Sequence, residues 1–185
     1  MTVPNGEILT RRLHLRRPVE ADASAIVAIA GDWEVARRLG RVPHPYTQED
    51  FRVFMEHVVP SEQTWAIVVR RSDELVGVIS LVPHGESRSA ELGYYVGRSH
   101  WGQGLATEAA QAIVRMGLED MGYAKLTSRY HADNPASGRE GICRERSRAT
   151  LSARCLQCRY WKSGRSPAKP WLHSYHERVA ACARV

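Results

Sequence analysis

Ala90-Glu-Leu-Gly-Tyr-Tyr-Val-Gly-Arg-Ser-His-Trp-Gly-Gln-Gly-Leu-Ala-Thr-Glu-Ala109 has a strand's pattern, then a glycine-rich turn, then the opening of a helix. The helix runs on through Ala110, Ile113, Val114 and Leu118, apolar at helical spacing. A tight turn feeding a helix N-terminus leaves backbone N–H groups unpaired, with the positive end of the helix dipole behind them. Such an arrangement binds phosphate. Gly102 and Gly104 remove side chains where a diphosphate has to touch the backbone.

Two familiar phosphate loops do not fit. A Walker loop needs Gly-Lys-Ser/Thr after its spacer, and no such triplet follows. A dinucleotide fingerprint needs a third glycine, and Gly102-Gln-Gly104 is followed by Leu-Ala-Thr. The turn therefore points to a diphosphate ligand of another class.

Three separated motifs stand in one order: Glu91-Leu-Gly-Tyr-Tyr-Val96, Trp101-Gly-Gln-Gly-Leu-Ala-Thr-Glu-Ala109 and Asn134-Pro-Ala-Ser137. Together they resemble the GNAT acyl-CoA N-acetyltransferase superfamily, in the branch of the ribosomal-protein N-terminal acetyltransferases. That superfamily's phosphate motif reads Q/R-x-x-G-x-G/A. Ser99-His-Trp-Gly102-Gln-Gly104 keeps both small residues and departs only at Ser99, a mild change where backbone does most of the binding. The resemblance runs from about Leu9 to Arg139.

Alternation over Ile8–Leu15 predicts a first strand, Pro18–Ala30 a helix, and Asp32–Leu39 a second short one. Thr47-Gln-Glu-Asp50 reads as the cap of a helix through Val58. Trp65–Arg70 and Leu75–Val82 read as a hairpin, followed by strands at Glu91–Val96 and Lys125–His131. The expected class is α/β (α+β): a GNAT-like mixed, mostly antiparallel central sheet with helices on both faces. No apolar run reaches membrane-spanning length, and Met1–Glu7 lacks the features of a signal peptide. A cytoplasmic location and a single domain of ordinary core size are the expectations for 185 residues.

Past Arg139 the text changes. Residues 140–185 hold all four cysteines (Cys143, Cys155, Cys158, Cys182) and ten Lys/Arg against three Glu. That segment nets +7, so the first 139 residues net −1 within a chain of +6. The basic balance belongs to the tail, and a nucleic-acid partner is not expected of the domain. Hydrophobic periodicity fades, and the Gly-Phe pair that follows Asn-x-x-Ser in the resembled family is absent. We expect residues 1–139 to form a C-terminally incomplete GNAT domain without its usual last helix and strands. Residues 140–185 then form an atypical Arg/Cys-rich tail, with a shifted reading frame as its suggested origin. Cys155-x2-Cys158 with His173-x2-His176 has a zinc-like spacing, but the ββα pattern of a finger is missing and no metal is expected.

The resemblance implies acetyl-CoA as cosubstrate and a primary amine, a protein N-terminus or a small molecule, as acceptor. It assigns the pantetheine contacts to Tyr94, Tyr95 and Val96, on a strand that splays from its neighbour, with a backbone N–H near Val96 polarising the thioester. The diphosphate falls to Trp101, Gly102, Gln103, Gly104, Leu105, Ala106 and Thr107, and the cofactor arm to Asn134. Glu91 is the candidate base, directly or through water; its plain alternative is a solvated strand carboxylate. Ser137 is the candidate proton donor to the thiolate, with a helix cap as alternative, and Tyr130 a second candidate acid. His84, His100 and His131 lie near predicted loop or strand ends around the site. Trp33, His44, Tyr46 and Phe51 fall in the segment that sets acceptor choice. Two rival classes stay open: a CoA-binding protein without turnover, and a nucleic-acid binder acting through the tail. Monomer and homodimer are both compatible with the sequence.

Overall fold

The computed structural model describes residues 6–40, 42–85, 87–131, Asn134, Ser137 and 159–161. Six strands follow one another across the sheet in chain order: β1 (Ile8–Leu9), β2 (Leu13–Arg16), β3 (Gln63–Val69), β4 (Glu74–Pro83), β5 (Ser89–Val96) and β6 (Lys125–His131). The first five are antiparallel neighbours, and β6 runs parallel to β5. A three-residue strand from the tail, β7 (Arg159–Trp161), lies parallel to the end of β6. This is the expected mixed, mostly antiparallel sheet.

The first expected strand is broken in two. Thr10 makes the turn: its N–H donates to the Leu13 carbonyl at 2.9 Å, and its hydroxyl accepts the Leu13 N–H at 2.9 Å. A threonine side chain that satisfies the backbone locally favours a turn over a continuous strand. The helix expected from Pro18 starts as a 3-10 turn at Glu20–Asp22 and becomes α1 (Ala23–Gly31). Asp22 causes the delay, accepting the Val19 N–H at 2.8 Å and a two-pronged bond from Arg16 on β2 at 2.7 and 2.8 Å. That fork joins the start of α1 to the sheet.

Asp32 accepts the Glu34 N–H and caps α2 (Trp33–Ala36), which is shorter than the periodicity implied. The capping box at Thr47 and Asp50 is present and starts α3 (Gln48–Val53). The chain then passes through a π-helical turn, Phe54–Val58, into α4 (Val59–Ser61), three residues beyond the expected stop.

Helix α5 (Leu105–Glu119) lies across one face of the sheet. Leu105, Ala109, Ile113 and Met116 form its buried stripe against Leu13, Leu15, Ile67, Ile79, Leu81, Leu92 and Leu126. Burying one Leu or Ile side chain contributes roughly 1.5–3 kcal/mol, so this face holds most of the apolar driving force. The opposite face carries α1 and α3 over a smaller cluster of Ile26, Phe51 and Val78. Among the described residues no helix is long and apolar enough to cross a membrane.

Candidate active site

Strands β5 and β6 pair only at their beginnings, from Ser89 with Lys125 to Leu92 with Ser128. Both continue, β5 to Val96 and β6 to His131, without further pairing to each other; the last three residues of β6 pair with β7 instead. Two parallel strands that start together and then part leave a gap between exposed backbone edges. The direction of those edges follows from the register. Val96 faces Gly77 on β4, and the next pair is closed by a 2.8 Å bond from the Gly97 N–H to the Val76 carbonyl. In an antiparallel ladder bonded and non-bonded pairs alternate, so Val96 is a non-bonded pair with its N–H and C=O turned away from β4. They face the gap. Tyr94, two residues back, has the same backbone orientation, while Tyr95 bonds to β4.

At the end of the gap the chain makes a 3-10 turn, Arg98–His100, and then the glycine turn. Gly102 has φ +73° and Gly104, the N-cap of α5, has φ +70°. Both lie in the left-handed region that favours glycine. The turn is tied down at both ends. The Trp101 indole N–H donates to the Val96 carbonyl at 2.8 Å, and the Gln103 amide to the Ser99 carbonyl at 3.1 Å. Arg38 lies over the Trp101 ring, 4.9 Å from its centroid. From the other side Arg12 donates to the carbonyls of Gln103 at 2.8 Å and Gly104 at 3.1 Å.

Glu108, in the first turn of α5, anchors that arginine. It accepts from the Arg12 Nε at 2.6 Å, the Arg12 backbone N–H at 2.8 Å and the Thr10 hydroxyl at 2.6 Å. Burial alone would raise the Glu108 pKa, but these bonds outweigh it and hold the carboxyl below its usual range. Thr107 and Gly104 also border a groove of about 890 Å³ between the β1–β2 turn and the outer side of α5. That groove lies away from the parting of β5 and β6.

Side chains on β5 alternate. Ala90, Leu92 and Tyr94 turn to the α5 cluster, whereas Glu91, Gly93 and Tyr95 face α1 and α3. Tyr95 packs on the Ile26–Phe51–Val78 cluster, and burial pushes its phenol well above the ordinary value of 10. Glu91 accepts a short bond at Oε2 from Arg129 on β6 and is mostly shielded, its side chain 15% exposed. Arg129 is raised above its ordinary value, chiefly by that bond. Glu91 is thus a paired carboxylate, different from the solvated one that its strand position also allowed.

Beyond β6 the Asn134 amide donates to the Ser137 hydroxyl at 3.0 Å. His100 sits 3.0 Å from the Ser99 hydroxyl and 3.5 Å from Glu74, and His84 lies in the exposed turn after β4. Tyr130 and His131 lie on β6, where only the backbone is described. The four cysteines, His173 and His176 lie outside the described residues, among which no group of His, Cys, Asp and Glu could hold a metal.

The description "Acetyltransferase (GNAT) domain" belongs to the family model that matches residues 12–139. The chain belongs to the GNAT acetyltransferase family. This makes it an acetyl-CoA-dependent N-acetyltransferase by class. The uncharacterized N-acetyltransferase p20 of Bacillus licheniformis is 27% identical over 135 residues, covering 70% of this chain and 76% of p20. The ribosomal-protein-serine acetyltransferase of Escherichia coli is 32% identical over 76 residues, 40% of this chain and 42% of that protein. A GNAT-family acetyltransferase structure from Bacillus anthracis superimposes with a TM-score of 0.67 at 23% identity, covering 73% of this chain and 80% of the other.

Within this GNAT fold the structure adds residues that motif reading passed over. Arg129, Arg12, Thr10 and Arg38 touch predicted site residues or their anchors from 38 to 98 positions away in sequence. The one local signal was Glu108, a carboxylate where a phosphate turn has no use for negative charge, which implies a cation from elsewhere.

Proposed function

We propose that this protein moves the acetyl group of acetyl-CoA onto a primary amine by direct attack within a ternary complex. The observation that carries the proposal is the parting of β5 from β6 after Leu92 and Ser128, in front of a glycine turn that opens α5. The gap presents Val96 backbone to an extended arm, and the turn presents N–H groups to a diphosphate. In this reading Tyr94, Tyr95 and Val96 line the pantetheine path and the Val96 N–H polarises the thioester carbonyl. Residues Trp101 to Thr107 take the diphosphate, and Asn134 the arm.

Glu91 serves as base through a water. Arg129 occupies Oε2, which leaves Oε1 to receive, through the water, the proton that the acceptor's ammonium gives up to become the attacking amine. Ser137 uses its oxygen to accept from Asn134, so its O–H remains available to the departing thiolate. The same reading takes residues 1–139 as the acetyltransferase unit, supported by a family match that ends at residue 139. A protein N-terminus or a small amine is the acceptor class. The partial similarity to a ribosomal-protein-serine acetyltransferase supports the former, and an acidic group already neutralised by Arg129 offers little to a polyamine's second ammonium.

Calorimetry with acetyl-CoA tests the proposal, beside a variant with Gly102→Val and Gly104→Val. Binding by the wild type that is lost in the variant is the expected result, followed by an acceptor screen of peptides and amines read by mass spectrometry. A folded wild-type chain that binds no acetyl-CoA would reduce the protein to an acetyltransferase by descent only.

A further inference from the structure

We infer that Arg12 is a positioning residue for the phosphate turn, orienting the amide N–H groups of Gly104 and Leu105 toward a diphosphate from behind. The inference rests on the acetyl-CoA reading of the site. Arg12 sits at the β1–β2 turn, about 90 residues from the loop it touches. Its Nη1 donates to the Gln103 carbonyl at 2.8 Å and its Nη2 to the Gly104 carbonyl at 3.1 Å. A trans peptide unit is planar, with its C=O and the following N–H pointing in opposite directions. Drawing the Gln103 carbonyl toward Arg12 therefore turns the Gly104 N–H away from it. The Gly104 carbonyl and Leu105 N–H are related in the same way. The Gly104 carbonyl is shared with the Glu108 N–H at 3.1 Å, so Arg12 sets the Gly104 donor and reinforces the Leu105 one, and donation to each carbonyl also polarises the N–H of the same unit.

Glu108 completes the device. Its Oε2 takes the Arg12 Nε at 2.6 Å, while Oε1 takes the Arg12 backbone N–H and the Thr10 hydroxyl. The planar fork is thus fixed on both edges, which a lysine ammonium cannot reproduce. The pair also settles the charge. Glu108 alone would place a bare carboxylate behind the turn, in the first turn of α5, and Arg12 neutralises it. With a side chain 37% exposed, Arg12 is poorly placed to be a major part of the core.

The test is calorimetric affinity for CoA in wild type, Arg12→Ala, Arg12→Lys and Glu108→Gln, with pyrophosphate and S-acetylpantetheine as competitors. Arg12→Ala is expected to weaken CoA by about tenfold, the loss of one or two charged hydrogen bonds. Pyrophosphate should weaken by a similar factor. S-acetylpantetheine, which carries the thioester arm and no phosphate, should compete as it does with wild type. Arg12→Lys restores the charge without the fork and should recover only part of the loss. Glu108→Gln, which keeps most of its bonds and covers the case of an unfolded alanine variant, should weaken CoA and pyrophosphate by a smaller factor. Equal weakening of both competitors would make Arg12 a merely structural residue, and unchanged CoA affinity in the Arg12 variants would remove any role. Failure of folded wild type to bind CoA overturns the reading of the site itself, which keeps the two failures apart.

Discussion

On the α5 face of the sheet Leu13, Ile67, Ile79, Leu92, Ile113 and Leu126 are all fully buried, whereas the α1–α3 face mixes Ile26, Phe51 and Val78 with polar groups. Register places Thr64 opposite Ser80, and Ser80 opposite Gly93, on that second face, with Glu91 and Arg129 beside them. A side chain begun at Gly93 would meet only the Ser80 hydroxyl, 3.8 Å away, so there is room above this row. The first face maximises burial and closes. The second gives up apolar area and keeps hydroxyls and a charge pair next to open space. Under the proposed transfer to an amine, the less economical face is the expected place of acceptor choice.

The contrast breaks most readily on the closed face. Ile113→Ala should cost about 2–5 kcal/mol of stability by urea denaturation, the usual range for an aliphatic side chain emptied from a packed core. A cost below about 1 kcal/mol would mean that α5 is not the principal cover of the sheet. On the open face Glu91→Gln should leave stability and acetyl-CoA affinity nearly unchanged and lower kcat by about a hundredfold, roughly 2.7 kcal/mol on the barrier. Steady-state rates with the acceptor found by screening decide it. An unchanged kcat would leave Glu91 as the partner of Arg129 and nothing more.

Asp22 tests how the open face holds its helices without a large core. Its carboxylate, 6% exposed, takes three bonds, two of which join the start of α1 to β2, and Asp22→Asn should cost about 2 kcal/mol at neutral pH. Burial pushes its pKa up, but Arg16 and the Val19 N–H more than reverse this, leaving it below the ordinary 3.8. A depressed carboxylate stabilises the fold above its unfolded pKa and loses that contribution as pH falls through the folded value. The stability gap between wild type and Asp22→Asn should therefore be full above pH ~5 and shrink below ~3.8. A gap that stays constant with pH would show that the charge is not what Asp22 contributes.

The closed face was far more legible in the sequence than the open one. Leu105, Ala109, Ile113 and Met116 announce α5 by period, and Gly102 and Gly104 announce the turn by their position before it. Such signals are local, because a helix stripe or a left-handed residue is written in neighbouring letters. Arg12 with Glu108 and Arg129 with Glu91 join residues 96 and 38 positions apart, and only the docking of α5 in the first case and strand register in the second bring them together. The break of the first strand at Thr10 escaped for a related reason: one hydroxyl outweighed an alternation that was otherwise sound.

Thr64→Val gives the smallest expected effect and the most direct reading of the open face. Thr64 is 2% exposed, and its hydroxyl has no hydrogen-bond partner among the described residues. Leaving a buried hydroxyl unpaired costs about 1–3 kcal/mol, while an apolar group of the same shape carries no such penalty. Valine should accordingly leave stability unchanged or raise it by up to ~1 kcal/mol in a thermal or urea melt. The corresponding change on the closed face has nothing to relieve. A loss of more than about 1 kcal/mol would mean that Thr64 does have a partner, such as a buried water that valine displaces. A gain in stability accompanied by a higher KM for the acceptor, at unchanged affinity for acetyl-CoA, would show that the hydroxyl is retained for the amine at the expense of the fold.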